Sequence, residues 1–256
     1  MTKKILITGA YGFLGKNLID RLKRSDNEYI VYSYDIDSSL DDLKEYAKDC
    51  DFVFNFAAVH RPKDTCEFEK VNHLFFDSLL DLLKENNNKC PVLYTSSIQA
   101  TNGTEYGNSK LAAEADLRRY SDETGAKAVI YRLSNTYGRW ATPNHHSVVA
   151  TFCHNLSLDL PIVVNDRNYH MNFHYIDDVI EDFVQQIEGD PIPDDDGIFR
   201  VKTIHPITLG ELADTLKDFQ GLVKKGQAPT LENEFKRTLY NTYISYVKQN
   251  ETQGRI

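Results

Sequence analysis

The sequence predicts an α/β fold, a doubly wound and mainly parallel sheet followed by a small C-terminal cap. Three observations carry this. Short β-rich runs alternate with helical ones through the first half, a glycine-rich turn follows the first apolar run, and the alternation ends after Asn135. Strands that alternate with helices need crossover connections, and crossovers pair strands in parallel.

The elements follow in order. Ile5–Thr8 reads as the first strand, and Phe13–Leu22 carries apolar positions at helical spacing. Tyr29–Tyr34 reads as the next strand, followed by a charged helical stretch over Leu40–Ala47. Phe52–Ala58 has the composition of a buried strand, and Phe68–Lys84 reads as one long helix. Val92–Thr95, Ser109–Glu123 and Ala126–Leu133 read as strand, helix and strand. Beyond Asn135, ATPNHHSVVATFCHNL reads as a loop feeding a helix, and PIVVN as a short strand. HYIDDVIEDFVQQIEG reads as a helix entered through Asp177 or Asp178, and a Thr208–Glu211 capping box opens another. The expected organisation is one domain over 1–256, with 1–135 mainly core and 136–256 mainly cap.

The chain has 256 residues, 41% hydrophobic and 26% charged, which suits one sizeable globular core. No apolar run is long enough to span a bilayer, and the N-terminus enters a strand without the features of a signal peptide. Cys50, Cys66, Cys90 and Cys153 are scattered without metal-ligand spacing, so the reading expects reduced thiols, a cytoplasmic location and no metal site. The adjacent His145–His146 lacks a third ligand at any recognisable spacing and is expected on the cap surface. A net charge of −9 argues against a nucleic-acid partner, while leaving room for an anionic small substrate held by local arginines.

The turn TGAYGFLG places Gly9, Gly12 and Gly15 between the first strand and the first helix. A diphosphate must approach the backbone closely at such a turn, where the helix N-terminus offers unpaired N–H groups and partial positive charge. The bland alternative is a ligand-free strand–helix connection, and the placement argues against it. Tyr11, Phe13 and Leu14, set among these glycines, are candidate cofactor contacts by position. Asp35 ends the second strand, where a carboxylate binds the adenosine ribose hydroxyls and repels a 2′-phosphate. That favours NAD, with NADP kept open, and nearby Asp37 is an alternative for the same part.

In YGNSK, Tyr106 and Lys110 stand at i and i+4 on one helix face, downstream of the strand-end pair Ser96–Ser97. This is the equipment of a carbonyl reductase. Tyr106 is the candidate general acid, and Lys110 the cation that lowers the phenol pKa and holds the nicotinamide ribose. A strand-end serine stabilises the carbonyl oxygen, and counting from the strand end selects Ser97.

With these residues in place, the chain resembles an extended short-chain dehydrogenase/reductase with a Rossmann-like core. More narrowly, it resembles the reductase domain of the CapF-type capsule-precursor enzymes. SSIQAT, YGNSKLAAE, NTYGRW, VNDRN and LENEFKRTLYNTYISY carry that resemblance. It implies NAD(P)H-dependent reduction of the C4 ketone of a UDP-linked 2-acetamido-2,6-dideoxy-hexos-4-ulose, with an L-talose product. It also implies that Phe56, Ala57, Ala58 and Thr95 line the cofactor, with Leu133 near the nicotinamide. Asn135 would reach the substrate, and Arg167 a nucleotide or phosphate, against the plain alternative of a surface arginine. A homodimer built on the Tyr106 helix is expected by the same analogy.

The chain also departs from that family. The 256 residues stop where that family's C-terminal cupin domain would begin, so either the sequence is part of a longer protein or it is a stand-alone reductase whose epimerase partner is a separate protein. Asp35 stands where the family is associated with NADPH and basic residues, and Met171–Asn172 replace an Arg-Asp pair. The short interval from Asp35 to Phe52 suggests one strand fewer than usual and a more open adenine pocket. A dehydratase is disfavoured because Ile98–Gln99, not acids, follow Ser97. A nucleotide-sugar 4-epimerase with tightly held NAD is the main alternative, and a non-catalytic dinucleotide sensor the remote one.

Overall fold

A computed structural model describes residues 2–60, 62–145 and 147–255; His146 lies outside them. The chain divides into two compact units, one up to Leu133 together with Ile180–Val201, the other Ser134–Val179 with the chain from Lys202 onward.

The first unit is built on a five-stranded parallel sheet of order β2-β1-β3-β4-β5. The strands are β1 (Lys3–Thr8), β2 (Tyr29–Tyr34), β3 (Phe52–Asn55), β4 (Val92–Ser97) and β5 (Ala128–Leu133). Between β2 and β3 there is only the helix α2 (Leu40–Asp49), opened by a Ser39–Asp42 capping box. Register explains the continuous apolar runs, because both faces are covered. Leu6, Val53, Val92, Tyr94 and Ile130 share a buried cluster with Leu43 and Ala47 of α2, with Phe76, Leu79 and Leu83 of α3 (Phe75–Glu85), and with Ala113, Leu117 and Tyr120 of α4 (Glu105–Thr124). On the opposite face, Phe54 and Phe56 meet Phe183, which belongs to α6 (Ile176–Glu188). That contact brings Ile180–Val201 back to the first unit.

The stretch expected as one helix over Phe68–Lys84 is a π-helical segment, Phe68–Leu74, running into α3. Wider hydrogen-bond spacing leaves the apolar pattern nearly intact, so the two are alike in sequence. The structure extends the Tyr106 helix back to Glu105, with Thr104 as its N-cap.

In the second unit a three-stranded sheet has the order β6-β7-β8. Its strands are β6 (Asn135–Tyr137), β7 (His170–Tyr175) and β8 (His205–Thr208). Around it stand α5 (Val148–Ser157), α7 (Leu209–Lys224) and α8 (Glu234–Thr252). The run PIVVN forms no strand; the strand begins at His170, past the Asp-Arg-Asn turn. The Thr208–Glu211 capping box is formed.

Candidate active site

The glycine turn is shaped by close packing. Gly9 has φ +64°, and a Cβ there would lie 2.8 Å from the Ala57 nitrogen and 2.9 Å from the Phe56 carbonyl carbon. A Cβ at Gly15 would fall on the Gly9 and Ala10 carbonyls. The turn is thus held tightly against the backbone past β3 and the start of α1, a cradle with no room for side chains at Gly9 or Gly15. Gly12 caps α1 (Phe13–Lys23) without a side chain, and the first turn of α1 holds no acid. These features fit a dinucleotide diphosphate.

Asp35 stands at the rim of this cradle. Its Oδ2 accepts the Tyr11 N–H at 2.7 Å and its Oδ1 accepts the Ile36 N–H at 2.8 Å, so the carboxylate ties the end of β2 to the glycine turn. Phe13 is buried and Leu14 half-buried on α1, while Tyr11 is 59% exposed. The Phe56 ring packs against Phe54 and Phe183, which leaves its backbone to face the cradle. Ala57 donates its N–H to Thr8 Oγ1 at 3.3 Å, and Ala58 follows it half-buried.

Ser97, Tyr106 and Lys110 come together in the first unit. Ser97 is the last residue of β4, opposite Leu133 in the β5 register. Its hydroxyl accepts the Gln99 N–H at 3.1 Å and is hydrogen-bonded to the Tyr106 phenol. Gly107 lets the helix start this close, because a Cβ there would meet the Gln99 carbonyl and Asn102 Oδ1. Burial pushes the phenol up to about 12, against the pull of the Ser97 hydroxyl. At neutral pH the group therefore carries its proton. Lys110 is 2% exposed and donates from Nζ to the Thr95 carbonyl at 3.0 Å. Its ammonium lies 4.9 Å from the Tyr94 ring centroid and 5.9 Å from that of Tyr106. Burial brings Lys110 down to about 7, while the Glu114 carboxylate raises it.

The structure distinguishes the two serines. Ser96 Oγ donates to Glu114 Oε1 at 2.5 Å, and Arg132 closes a bidentate pair on the same carboxylate at 2.8 and 2.7 Å. Ser96 is committed to that buried network, which leaves Ser97 beside the phenol. Glu114 continues the i, i+4 series from Tyr106 through Lys110, a signal present in the sequence and passed over. Asn72, inside the π-helical segment, was also missed. It is fully buried, and its side chain accepts the Val59 N–H at 2.8 Å and donates to the Val59 carbonyl and to Ser109. No periodicity marks such a residue. His60 and Phe68 flank the phenol, their ring centroids 5.2 and 5.7 Å from that of Tyr106.

Asn135 and Arg167 belong to the second unit. Asn135 Nδ2 donates to the Asn172 carbonyl at 3.4 Å. Arg167 is exposed and paired with Asp214 at 2.5 Å.

Residues 5–194 match the profile of the NAD dependent epimerase/dehydratase family. The chain is 36% identical to the UDP-2-acetamido-2,6-beta-L-arabino-hexul-4-ose reductase of Pseudomonas aeruginosa, over 96% of this chain and 66% of that protein. It is 25% identical to the dTDP-4-dehydro-6-deoxyglucose reductase of Escherichia coli, over 83% of this chain and 80% of that one. Among solved structures, the capsular polysaccharide assembling protein CapF of Staphylococcus aureus matches with TM-score 0.87 and 38% identity, over 96% of this chain and 66% of that one. The UDP-glucuronic acid 4-epimerase of Bacillus cereus, solved with NAD, shares the fold at TM-score 0.79 and 20% identity, over 96% and 99% of the two chains. The chain thus spans about two thirds of the length of the first-named relative and of CapF.

Proposed function

The chain belongs to the NAD dependent epimerase/dehydratase family, and from that premise we propose that it reduces the C4 ketone of a UDP-linked 2-acetamido-2,6-dideoxy-hexos-4-ulose. The observation that carries the reading is the Ser97–Tyr106–Lys110 group, two of its members buried and the phenol half-buried between them, with no acid following Ser97. The reductase identity of the Pseudomonas relative supports the choice of substrate.

The cofactor, when bound, supplies the hydride. The glycine turn and the open start of α1 would hold its diphosphate, and the Asp35 side chain at the end of β2 favours NAD over a 2′-phosphorylated form. Ser97 donates a hydrogen bond to the carbonyl oxygen, where negative charge develops, and Tyr106 delivers its phenolic proton to that oxygen. Lys110 would hold the nicotinamide ribose, and its ammonium, once set beside a phenolate, would stabilise that charge until solvent returns the proton. The second unit serves as the substrate cap, with Asn135 and Arg167 as contacts. We place the enzyme in the cytoplasm as a homodimer. Leu74 and Leu111, 47% and 42% exposed on the π-helical segment and α4, support that pairing.

The test follows reduced nicotinamide and sugar nucleotide together. One NADH consumed per alcohol formed, abolished by Tyr106→Phe, is the expected result. Exchange of C4 epimers with no net NADH consumption would make the chain an epimerase instead.

A further inference from the structure

An isoleucine stands open one residue past Ser97. Ile98 is 57% exposed, whereas every residue of β4 before it is buried and Ala100 after it is 1% exposed. The turn that presents it is firmly built. Ser97 caps the 3-10 turn Ile98–Thr101, its hydroxyl accepting the Gln99 N–H at 3.1 Å, and the Gln99 carbonyl accepts the Asn102 N–H at 3.0 Å. That carbonyl is pressed against α4, where Gly107 has no Cβ to hold it off. With the Gln99 backbone and Ala100 on the inner side, Ile98 is left on the outer one. Apolar residues scattered over a surface need no explanation. This one is joined to the serine whose hydroxyl is bonded to the Tyr106 phenol. A ketone oxygen held by those two hydroxyls brings its neighbouring carbons to the same turn.

The substrate class then decides what Ile98 meets. The C4 ketone of a 2,6-dideoxy sugar has unlike flanks, because C3 carries a hydroxyl and C5 a methyl group. Isoleucine offers no hydrogen-bond partner. A hydroxyl turned toward it gives up water without replacement, whereas a methyl group gains by leaving water. We propose that Ile98 is a specificity-determining residue that packs on the C6 methyl group and selects 6-deoxy over 6-hydroxy sugars. The assignment deepens the 4-keto-sugar reading and rests on it. It also sets the direction of the ring, with C5 toward the turn Ile98–Thr101 and C3 away from it.

Initial rates of NAD reduction test this with two alcohols that differ at one atom. One is the UDP-linked 2-acetamido-2,6-dideoxy-L-talose product, and the other its 6-hydroxy counterpart. The parent protein is expected to favour the 6-deoxy alcohol about tenfold or more in kcat/KM. Ile98→Ser, whose hydroxyl can pair with a C6 hydroxyl, should bring the ratio to within about threefold of unity. Ile98→Val should keep most of it. The thermal midpoint and the KM for NAD should not move, since the side chain is exposed and the turn is held by its backbone. Equal use of both alcohols by the parent, or an unchanged ratio in Ile98→Ser, overturns the assignment and leaves the 4-keto-sugar reading standing. An equal loss on both alcohols with a lowered thermal midpoint would make Ile98 part of the fold, and also overturns it. No NADH from either alcohol, in protein that binds NAD, removes that reading and this assignment with it.

Discussion

Two arginine–carboxylate pairs of this molecule, one bidentate and one a single contact, both close at hydrogen-bond distance and differ most in what surrounds them. In the first unit, Arg132 grips Glu114 with side chains 20% and 3% exposed. In the second, Arg167 meets Asp214 at 2.5 Å with side chains 54% and 58% exposed. The buried carboxylate also takes the Ser96 hydroxyl and stands one turn beyond Lys110, so it fixes β4, β5 and α4 relative to one another. Water competes for the exposed pair at little cost. Environment, not contact distance, decides that one pair is scaffold and that the other contributes little to the fold.

If the buried pair is scaffold, the largest loss of turnover belongs to the residue it supports. Tyr106→Phe removes the proposed proton donor and leaves the Glu114 network untouched. The expected fall in kcat is about 10²–10⁴-fold, with a thermal midpoint close to that of the parent. An equal loss of stability would make the phenol part of the scaffold and erase the contrast.

Glu114→Ala tests the scaffold itself. It leaves the Arg132 guanidinium without its carboxylate and Ser96 without its acceptor, which is expected to cost about 3–5 kcal/mol in urea unfolding. Glu114→Gln keeps the shape and removes the charge that raises Lys110. Lys110 then gives up its proton at still lower pH, so the alkaline fall in kcat moves to lower pH. An unmoved profile would mean that Glu114 acts through packing alone.

The same contrast governs how much was legible in the sequence. The first unit alternates short continuous apolar runs, the mark of strands buried on both faces, with segments of helical period, and its elements could be placed to within a few residues. Spacing also exposed Tyr106 and Lys110, since i and i+4 share a helix face. The π-helical segment and Asn72 could not be read, because a change of hydrogen-bond spacing leaves no compositional mark. In the second unit β6, β7 and β8 went unseen. All three are short, partly exposed and carry Asn, His or Pro, so neither alternation nor a continuous apolar run announces them.

A smaller effect comes from His73, which links the two sides of the helix layer in the first unit. Its Nδ1 lies 2.7 Å from Glu69 and its Nε2 2.7 Å from Asp116, which also holds Arg119. Burial lowers the imidazole, but Glu69 and Asp116 outweigh it, and the net direction is up. A group whose folded pKa is raised stabilises fully below its unfolded value, about 6.5, and loses that contribution as pH rises through the folded value. The stability gap between the parent and His73→Gln should therefore be widest in mild acid and narrow toward alkaline pH. A gap independent of pH would leave packing as the explanation.

Arg167→Ala should have the smallest effect on the fold. An exposed pair contributes within about 1 kcal/mol, so unfolding in urea is expected to be nearly unchanged. If the guanidinium exchanges Asp214 for a substrate phosphate, KM for the sugar nucleotide rises several-fold while kcat holds, the pattern of a contact made equally in ground and transition states. Asp214→Asn sharpens the point, since it frees Arg167 from its competitor and should lower KM. Were both variants to leave KM unchanged, Arg167 would be a surface arginine and nothing more. Were Arg167→Ala to cost as much stability as Glu114→Ala, exposure would not be what separates the two pairs.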